Sequence, residues 1–567
     1  MMSNTFKHIL CAGALCMALG ACSDWDDHYD TETAVLPGQQ LTLWEHIAQD
    51  RRLTDFADLL RKTGYDERLK ASQTYTVWAP ANGTFDYAAL AGTNSERLVK
   101  EFVNNHIARN NWTASGAVDA TVFMLNGKVM DFRGTTMQGV PVQQVSVAGS
   151  NGTMYLLDGK IPFYPNIYES LLKDDATIGA VSGYYHSFDQ RTFNAAASAP
   201  GPVIDGEQTY LDSVFYDTND LYNWFNAYIA REDSNYTMLL PTNAAWQKAQ
   251  EAIRPCFNYL PRIEWLEDAG AVNEKKVTAV ELKDAAALQD SMVNVFLMQD
   301  LFFNNNMYGN KVLNTLAQGE TLQCDSLRNT IGTIFYAQDA TRLFEQARRV
   351  DKSNGAVWLT DELRLPAWLW YNIELPVEAE FDMFMAGVFN TAGNTPNKNK
   401  VQKTQQNPEV PGNISNGYYL EVEPSASSTN PEVVFYLPGV LSTEYSLYAV
   451  MVPSNITNTT RTPLPNRMIV TMGYADGDGK MQETRLRNPE SGNTIFVSDP
   501  TKIDTLYLGD FTFPVAYRGL GDSRPHLRIR SSVNNADYDR TLRIDCLILR
   551  PKELDTYLKE HPEYKYK

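Results

Sequence analysis

Few residues in this chain are of a type and spacing that could do chemistry. Six cysteines occur, Cys11, Cys16, Cys22, Cys256, Cys324 and Cys546, and none has the close spacing of a metal site. Three lie beyond the N-terminal segment, an odd set, so Cys256 and Cys324 are read either as a disulfide or as two buried thiols. His106 has no second histidine at ligand spacing and is expected to be a hydrogen-bonded structural residue. Asp476-Gly477-Asp478-Gly479-Lys480 opens like a calcium loop, but Arg487 stands at the twelfth position where an acid is needed, so a hairpin turn is expected. The sequence contains no G-x-S-x-G elbow, no H-E-x-x-H, no phosphate loop and no dinucleotide glycine fingerprint. Glycoside hydrolysis needs only two carboxylates across a cleft, and a hydrolase is therefore kept as the minor alternative. No catalytic residue, metal or cofactor is expected.

Cys22 differs from the other thiols. Lys7 and His8 precede an apolar run from Ile9 to Leu19, which leads into Leu19-Gly20-Ala21-Cys22. Charge, apolar run and small residues in that order read as a signal peptide over residues 1–21, and the run is too short to span a membrane comfortably. Leu-Gly-Ala-Cys resembles a bacterial lipobox, which implies that the Cys22 thiol is acylated and that Cys22 begins the mature chain. Residues 22–40 follow as an acidic tether carrying Asp24, Asp26, Asp27 and Asp30 near its start. The tether resembles the export signal of Gram-negative surface lipoproteins; a plain spacer on a periplasm-facing lipoprotein is the alternative. Several acyl chains, at about 0.8 kcal/mol per buried methylene, would hold the protein in outer-membrane lipid, facing the cell exterior.

The elements behind this anchor repeat. Tyr75 to Phe85 reads YTVWAPANGTF and Tyr236 to Trp246 reads YTMLLPTNAAW, each an apolar strand ended by proline and followed by Asn and an aromatic. Arg97 to Asn111 matches Ser291 to Asn305 as one helix face running into a turn, with Leu98, Phe102 and Ile107 set against Met292, Phe296 and Leu301. Asn151 to Pro162 matches Asn354 to Pro366 as a turn, a strand and a proline stop. Apolar spacing at Phe56, Leu59 and Leu60, and at Leu221, Trp224, Phe225, Tyr228 and Ile229, predicts helices that pack on the sheets. The result is one mixed α/β module used twice.

These residues resemble fasciclin-like domains. The first copy carries the family's marks at Thr76, Pro80, Asn82 and Phe85, at Asn105-His106-Ile107, and at Asp158-Gly159 closing the last strand. The second keeps Pro241 and Asn243, but Asp300 is set against His106 and Asp361-Glu362 against Asp158-Gly159. Its first two motifs also lie further apart, which predicts a helix-bearing insertion near 253–288. The resemblance implies two α+β wedges, at 41–172 and 173–379, whose motif residues are structural. It also implies a role in adhesion or extracellular binding.

Residues 380–416 shift to Asn, Thr, Lys, Gln and Pro and read as a linker or long loop. From 417 to 553, short apolar runs recur between turn signals, such as EVVFYLPG, YSLYAVMVP and RMIVTMGY, and predict an all-β sandwich, jelly-roll-like. It looks like sugar-binding sandwiches of bacterial surface proteins. Tyr436, Tyr445, Tyr448, Tyr474, Tyr507 and Tyr517 are its candidate glycan contacts, with strand packing as the blander role for each. Residues 554–567 read as a polar tail.

Composition limits the partners. The formal charge is −19 with no basic run, which argues against nucleic acid. The expectation is a multidomain, non-catalytic cell-surface binding lipoprotein, an accessory to glycan capture beside a TonB-dependent transporter. An adhesin is the alternative.

Overall fold

The structure, a computed structural model, describes residues 41–566 apart from 115–118, 173–174, 197, 205, 213–214, 269–274, 308, 391–398, 407–411, 456–461 and 518–523. Cys22, the signal segment and the acidic tether lie outside the described residues. The chain divides into two compact units, one ending at Pro165 and the other starting at Asn166. No described helix is long and apolar enough to cross a membrane.

Seven strands form the sheet of the first unit: β1 Tyr75–Pro80, β2 Ile107–Arg109, β3 Ala120–Phe123, β4 Val129–Phe132, β5 Thr136–Met137, β6 Val140–Gly149 and β7 Gly152–Leu157. Their order is β2-β1-β7-β6-β5-β4-β3. β1 is buried throughout and lies between antiparallel β2 and parallel β7, and its side chains alternate between two cores. Val77 and Ala79 join Met154 and Leu156 in a cluster with the helices Leu43–Gln49 and Thr54–Lys62. Trp78 joins Tyr155 and Leu157 on the other side, where the Trp78 and Tyr155 rings stack at 5.9 Å and Phe132 meets Trp78 edge-on. Helix Thr54–Lys62 forms because Phe56, Leu59 and Leu60 share one buried face. Helix Leu43–Gln49 starts in a capping box between Thr42 and Glu45.

Asn151-Gly152 holds the parallel pair in register. Gly152 has φ +144°, and a Cβ there would lie 1.8 Å from the Tyr75 carbonyl oxygen, so only glycine fits. The buried Asn151 amide accepts from the Leu43 N–H at 2.8 Å and donates to the carbonyls of Leu69 at 2.7 Å and Ala71 at 2.8 Å. One side chain thus ties the first helix, the approach to β1 and the start of β7 together.

The second unit repeats this arrangement register for register. Tyr236–Pro241 pairs in parallel with Gly355–Thr360 and antiparallel with Phe302–Asn304, as β1 does with β7 and β2. Gly355 has φ +136°, and a Cβ there would lie 1.8 Å from the Tyr236 carbonyl oxygen. Asn354 accepts from Ile167 N–H at 3.0 Å and donates to Ile229 O at 2.8 Å and Arg231 O at 3.0 Å. Around this core are hairpins that the periodicity did not announce: Asp189–Phe193 with Phe215–Asn219, and Ala199–Ile204 with Glu207–Asp212.

The rest of the second unit is two antiparallel sheets. One runs Lys400–Gln405, Tyr418–Glu423, Leu542–Pro551, Glu444–Met451, Asp504–Thr512; the other runs Met385–Asn390, Pro431–Tyr436, His526–Ser531, Arg467–Ala475, Met481–Arg485. Leu420, Leu447 and Leu547 of the first share one buried cluster with Val433, Met472 and Ile529 of the second, so the sheets face each other across one core.

Several expected boundaries move. Residues 166–172 belong to the second unit, because Asn166 caps the helix Ile167–Ser170 whose first N–H is bonded to Asn354. The 253–288 segment is mainly a hairpin, Arg262–Asp268 with Lys275–Glu281, rather than a helical excursion. Glu264 N–H donates to Gly479 O at 2.7 Å, which docks that hairpin on the Asp476–Lys480 turn. The 380–416 segment contributes two strands, Met385–Asn390 and Lys400–Gln405, and Leu375–Glu378 already pairs with Leu542–Pro551. The expected polar tail carries the helix Lys552–Glu560, whose Leu554 is fully buried.

Replacing Gly152 by Ala is expected to cost more than about 3 kcal/mol and to remove the first unit's transition from a calorimetric scan. Gly355→Ala should do the same to the second unit's. Either variant melting like the parent would contradict the fit described for these glycines.

Candidate functional site

The family-motif residues are placed as structure. Thr76 Oγ1 donates to Asn110 O at 2.8 Å and accepts from Trp112 N–H at 2.9 Å. Pro80 and Pro241 end their strands. Asn82 accepts from Asp55 N–H and donates to Arg51 O and Thr54 Oγ1, holding the helix start to the strand end; Asn243 repeats this with Ala180 N–H and Ala176 O. Phe85 packs on Phe102. Asp158 is exposed and accepts from Gln143, and a Cβ on Gly159 would press on Val140 at 3.2 Å.

His106 is fully buried. Its Nδ1 lies 2.7 Å from Phe102 O and its Nε2 accepts from Ile161 N–H at 2.9 Å, a pattern that needs a neutral ring with its proton on Nδ1. Burial holds its pKa down at about 4. The expected match of His106 to Asp300 is corrected by register: Val77 faces Ile107 and its counterpart Met238 faces Phe302, so Leu301 occupies the His106 position. A slip of one residue inverts the faces of a strand, and Asp300 faces elsewhere. It is buried, accepts from Asn329, from Thr333 Oγ1 at 2.8 Å and from Gln299 at 3.1 Å, and desolvation raises its pKa to about 7. Cys256 and Cys324 are free thiols.

The six tyrosines do not make one platform. Tyr445 is in the core, 1% exposed, against Phe513. Tyr448 and Tyr507 pair at 5.2 Å on the outside of the first sheet, where Tyr448 donates to Asp555 of the C-terminal helix at 2.6 Å. Tyr474 packs edge-on against Phe511. Tyr436 and Tyr517 come together around Arg524, whose guanidinium lies 4.5 Å from the Tyr436 ring centre. None of the six is an exposed flat face.

Tyr436 continues into a charged row. In His526–Ser531, Leu527 and Ile529 turn inward, which puts His526, Arg528 and Arg530 on the outer face of the second sheet. His526 lies between Tyr436 and Gly473, with its ring over Gly473, where a Cβ would meet it at 2.1 Å. Arg528 bridges Glu432 and Glu483, each at 2.7 Å, and its Nε–H has no partner among the described residues. The neighbouring His526 and Arg528 hold Glu483 down at about 2. This gives fixed donors and acceptors beside an aromatic ring, the elements of polar ligand recognition.

A second cluster, where Leu375–Glu378 pairs with the central strand Leu542–Pro551 of the first sheet, was missed from sequence because its residues come from distant strands. Pairing of Leu375–Glu378 with Leu542–Pro551 brings Glu378, Asp545 and Cys546 together, with ligand atoms within 4.8 Å of one another. Ser415 Oγ lies within hydrogen-bond reach of both the Glu378 and Asp545 carboxylates, with one proton to donate, and its N–H donates to Asp545. Glu380 is 4% exposed, and its Oε2 has no partner among the described residues. No ion pair with Lys or Arg neutralises these three acids among the described residues. Burial, with the charges of Glu378 and Glu380, lifts Asp545 to about 6, and burial raises the pKa of the Cys546 thiol. The carboxylate and hydroxyl oxygens suit a hard divalent cation such as calcium, whereas the Cys546 sulfur beside them would favour zinc. The readable signal was acids at alternate positions in apolar strands, Val377-Glu378-Ala379-Glu380 and Ile544-Asp545-Cys546-Leu547.

Calcium at about 1 mM is expected to raise the second unit's melting temperature by about 4 °C or more, and Asp545→Asn or Glu378→Gln to abolish the response; no shift in the parent would exclude the cation. Titration gives opposite limbs. His106, with its pKa lowered from 6.5 to about 4, contributes stability present above pH 6.5 and lost as pH falls through about 4. Asp300, raised from 3.8 to about 7, contributes stability present below pH 3.8 and lost as pH rises through about 7. His106→Gln should flatten the acid limb of the first unit in scanning calorimetry, and Asp300→Asn the alkaline limb of the second.

The fasciclin domain family matches residues 51–161. No curated protein matches the chain. Among solved structures, a FAS1 domain pair from the insect cell adhesion molecule Fasciclin I aligns at 13% identity over 56% of this chain and 98% of that one, with a TM-score of 0.19. The CBM22-1 xylan-binding domain from Paenibacillus barcinonensis Xyn10C aligns at 17% identity over 31% and 92%, with a TM-score of 0.19. The C-terminal family 22 carbohydrate binding module of Clostridium thermocellum Xyn10B aligns at 12% identity over 31% and 92%, with a TM-score of 0.18. Scores this low carry neither fold nor function to this chain. Residues 51–161 are a fasciclin domain.

Proposed function

We propose that this chain is a non-catalytic, lipid-anchored binding protein of the bacterial cell surface, whose second unit contributes another fasciclin-like module and a jelly-roll-like β-sandwich that contacts glycan. The observation that carries the glycan contact is the outer face of the second sheet, where His526, Arg528, Glu432 and Glu483 are fixed by one another and Tyr436 pairs with His526 in the strand register. A sugar presents hydroxyls, which pre-placed charged groups beside a half-buried aromatic complement. The same network argues for binding over cleavage. A glycosidase acid must hold a proton near neutral pH, whereas Glu483 is held ionised down to about 2 and both glutamates are committed to Arg528.

The lipobox-like Leu19-Gly20-Ala21-Cys22 and the acidic residues behind it support an anchor in the outer membrane facing outward. With such an anchor, the protein serves as an accessory to glycan capture beside a TonB-dependent transporter.

The test is a glycan array probed with the mature chain, followed by titration of the hits. Arg528→Ala and Tyr436→Ala are each expected to weaken binding by about tenfold or more while the second unit stays folded at the assay temperature, as a melting scan would check. An array with no hit, or hits indifferent to both substitutions, would refute the sheet-face reading.

A further inference from the structure

In the first unit, β2, β3 and the turn after β2 enclose a groove of about 430 Å3 lined by Arg68, Asn104, Arg109, Asn110, Trp112 and Phe123, among others. Its lining contains two arginines and no Asp or Glu, in a chain whose formal charge is −19. We propose that this groove is a binding site for an acidic saccharide, a hexuronate unit whose carboxylate meets the two guanidinium groups while its ring lies on Trp112 and Phe123. The site is separate from the sheet face assigned to glycan above and does not depend on that assignment.

The groove is built before any ligand arrives. Arg68 donates to the hydroxyls of Tyr75 and Tyr65, both at 3.1 Å, and Tyr65 in turn donates to Asn104 Oδ1 at 2.5 Å, which fixes the guanidinium and the amide together. Trp112 is held by its indole N–H on Arg109 O at 3.1 Å and by its backbone N–H on Thr76 Oγ1 at 2.9 Å. The Arg109 guanidinium has no ion-pair partner among the described residues. Asn110 takes φ +69°, a left-handed turn conformation that asparagine adopts more readily than most residues other than glycine. Phe123 is 63% exposed on an edge strand, where apolar surface gains nothing from solvent.

The ligand class follows from these groups. A planar carboxylate matches a guanidinium fork, the Asn104 and Asn110 amides suit hydroxyls, and aromatic rings suit the C–H face of a pyranose. A bare phosphate would leave the aromatic rings unused.

The experiment titrates the full chain with an α-1,4-linked galacturonate tetramer and with its methyl ester, which keeps the sugar and removes the charge. The acid is expected to bind and the ester to bind about tenfold weaker or worse. Arg109→Gln and Phe123→Ala, both at exposed positions, should each cost about tenfold for the acid, while Arg528→Ala on the sheet face leaves it unchanged. Equal affinity for acid and ester, no binding up to about 10 mM, or binding indifferent to Arg109→Gln and Phe123→Ala would overturn the proposal. Loss of galacturonate binding in Arg528→Ala alone would assign the sugar to the sheet face and overturn it as well.

Discussion

A buried asparagine followed by a glycine at the head of a parallel strand is the constraint on which both repeated modules depend. Parallel neighbours cannot be joined by a tight turn, so something other than the connection must set where they start. Asn151 and Asn354 do this with one amide each, which satisfies three backbone groups, two of them in buried bonds. The glycine that follows lets the strand approach its neighbour's carbonyl closer than any Cβ permits. Helices, aromatic cores and the proline stops all take their positions from that register.

What the modules carry differs from what holds them. The buried titratable groups, His106 and Asp300, are tied into backbone and amide partners and face no open cleft. The groups we propose to meet another molecule lie on the outer face of a sheet, where Arg528 is braced between two glutamates, and in the groove where Arg68 is braced between two phenols. Both are rigid arrangements of charge beside aromatic rings. That design suits selective capture, because the ordering of long side chains is met during folding and not on binding.

The repeat was legible because proline, asparagine and glycine have meaning tied to position: a strand end, a turn, a left-handed or crowded backbone. The alignment of Asp300 with His106 failed because helical spacing leaves a one-residue offset undetected, whereas strand pairing does not. Lys400–Gln405 passed for linker because an edge strand is kept polar, and Leu554 passed for tail because one buried leucine sits among charges. Tyr445 and Tyr448 are neighbours but three in sequence, yet one fills the core and the other meets the C-terminal helix. The acids Glu378, Glu380 and Asp545 are visible in apolar runs, but that they meet follows only from the pairing of two strands far apart in sequence.

Amide hydrogen exchange on the parent and on Asn151→Ala reaches this constraint most directly. The account predicts that protection collapses across β1, β7 and the helix Leu43–Gln49 while the strands Tyr236–Pro241 and Gly355–Thr360 keep theirs, with the reverse pattern in Asn354→Ala. Protection unchanged in the altered module, or lost uniformly from both, would contradict it.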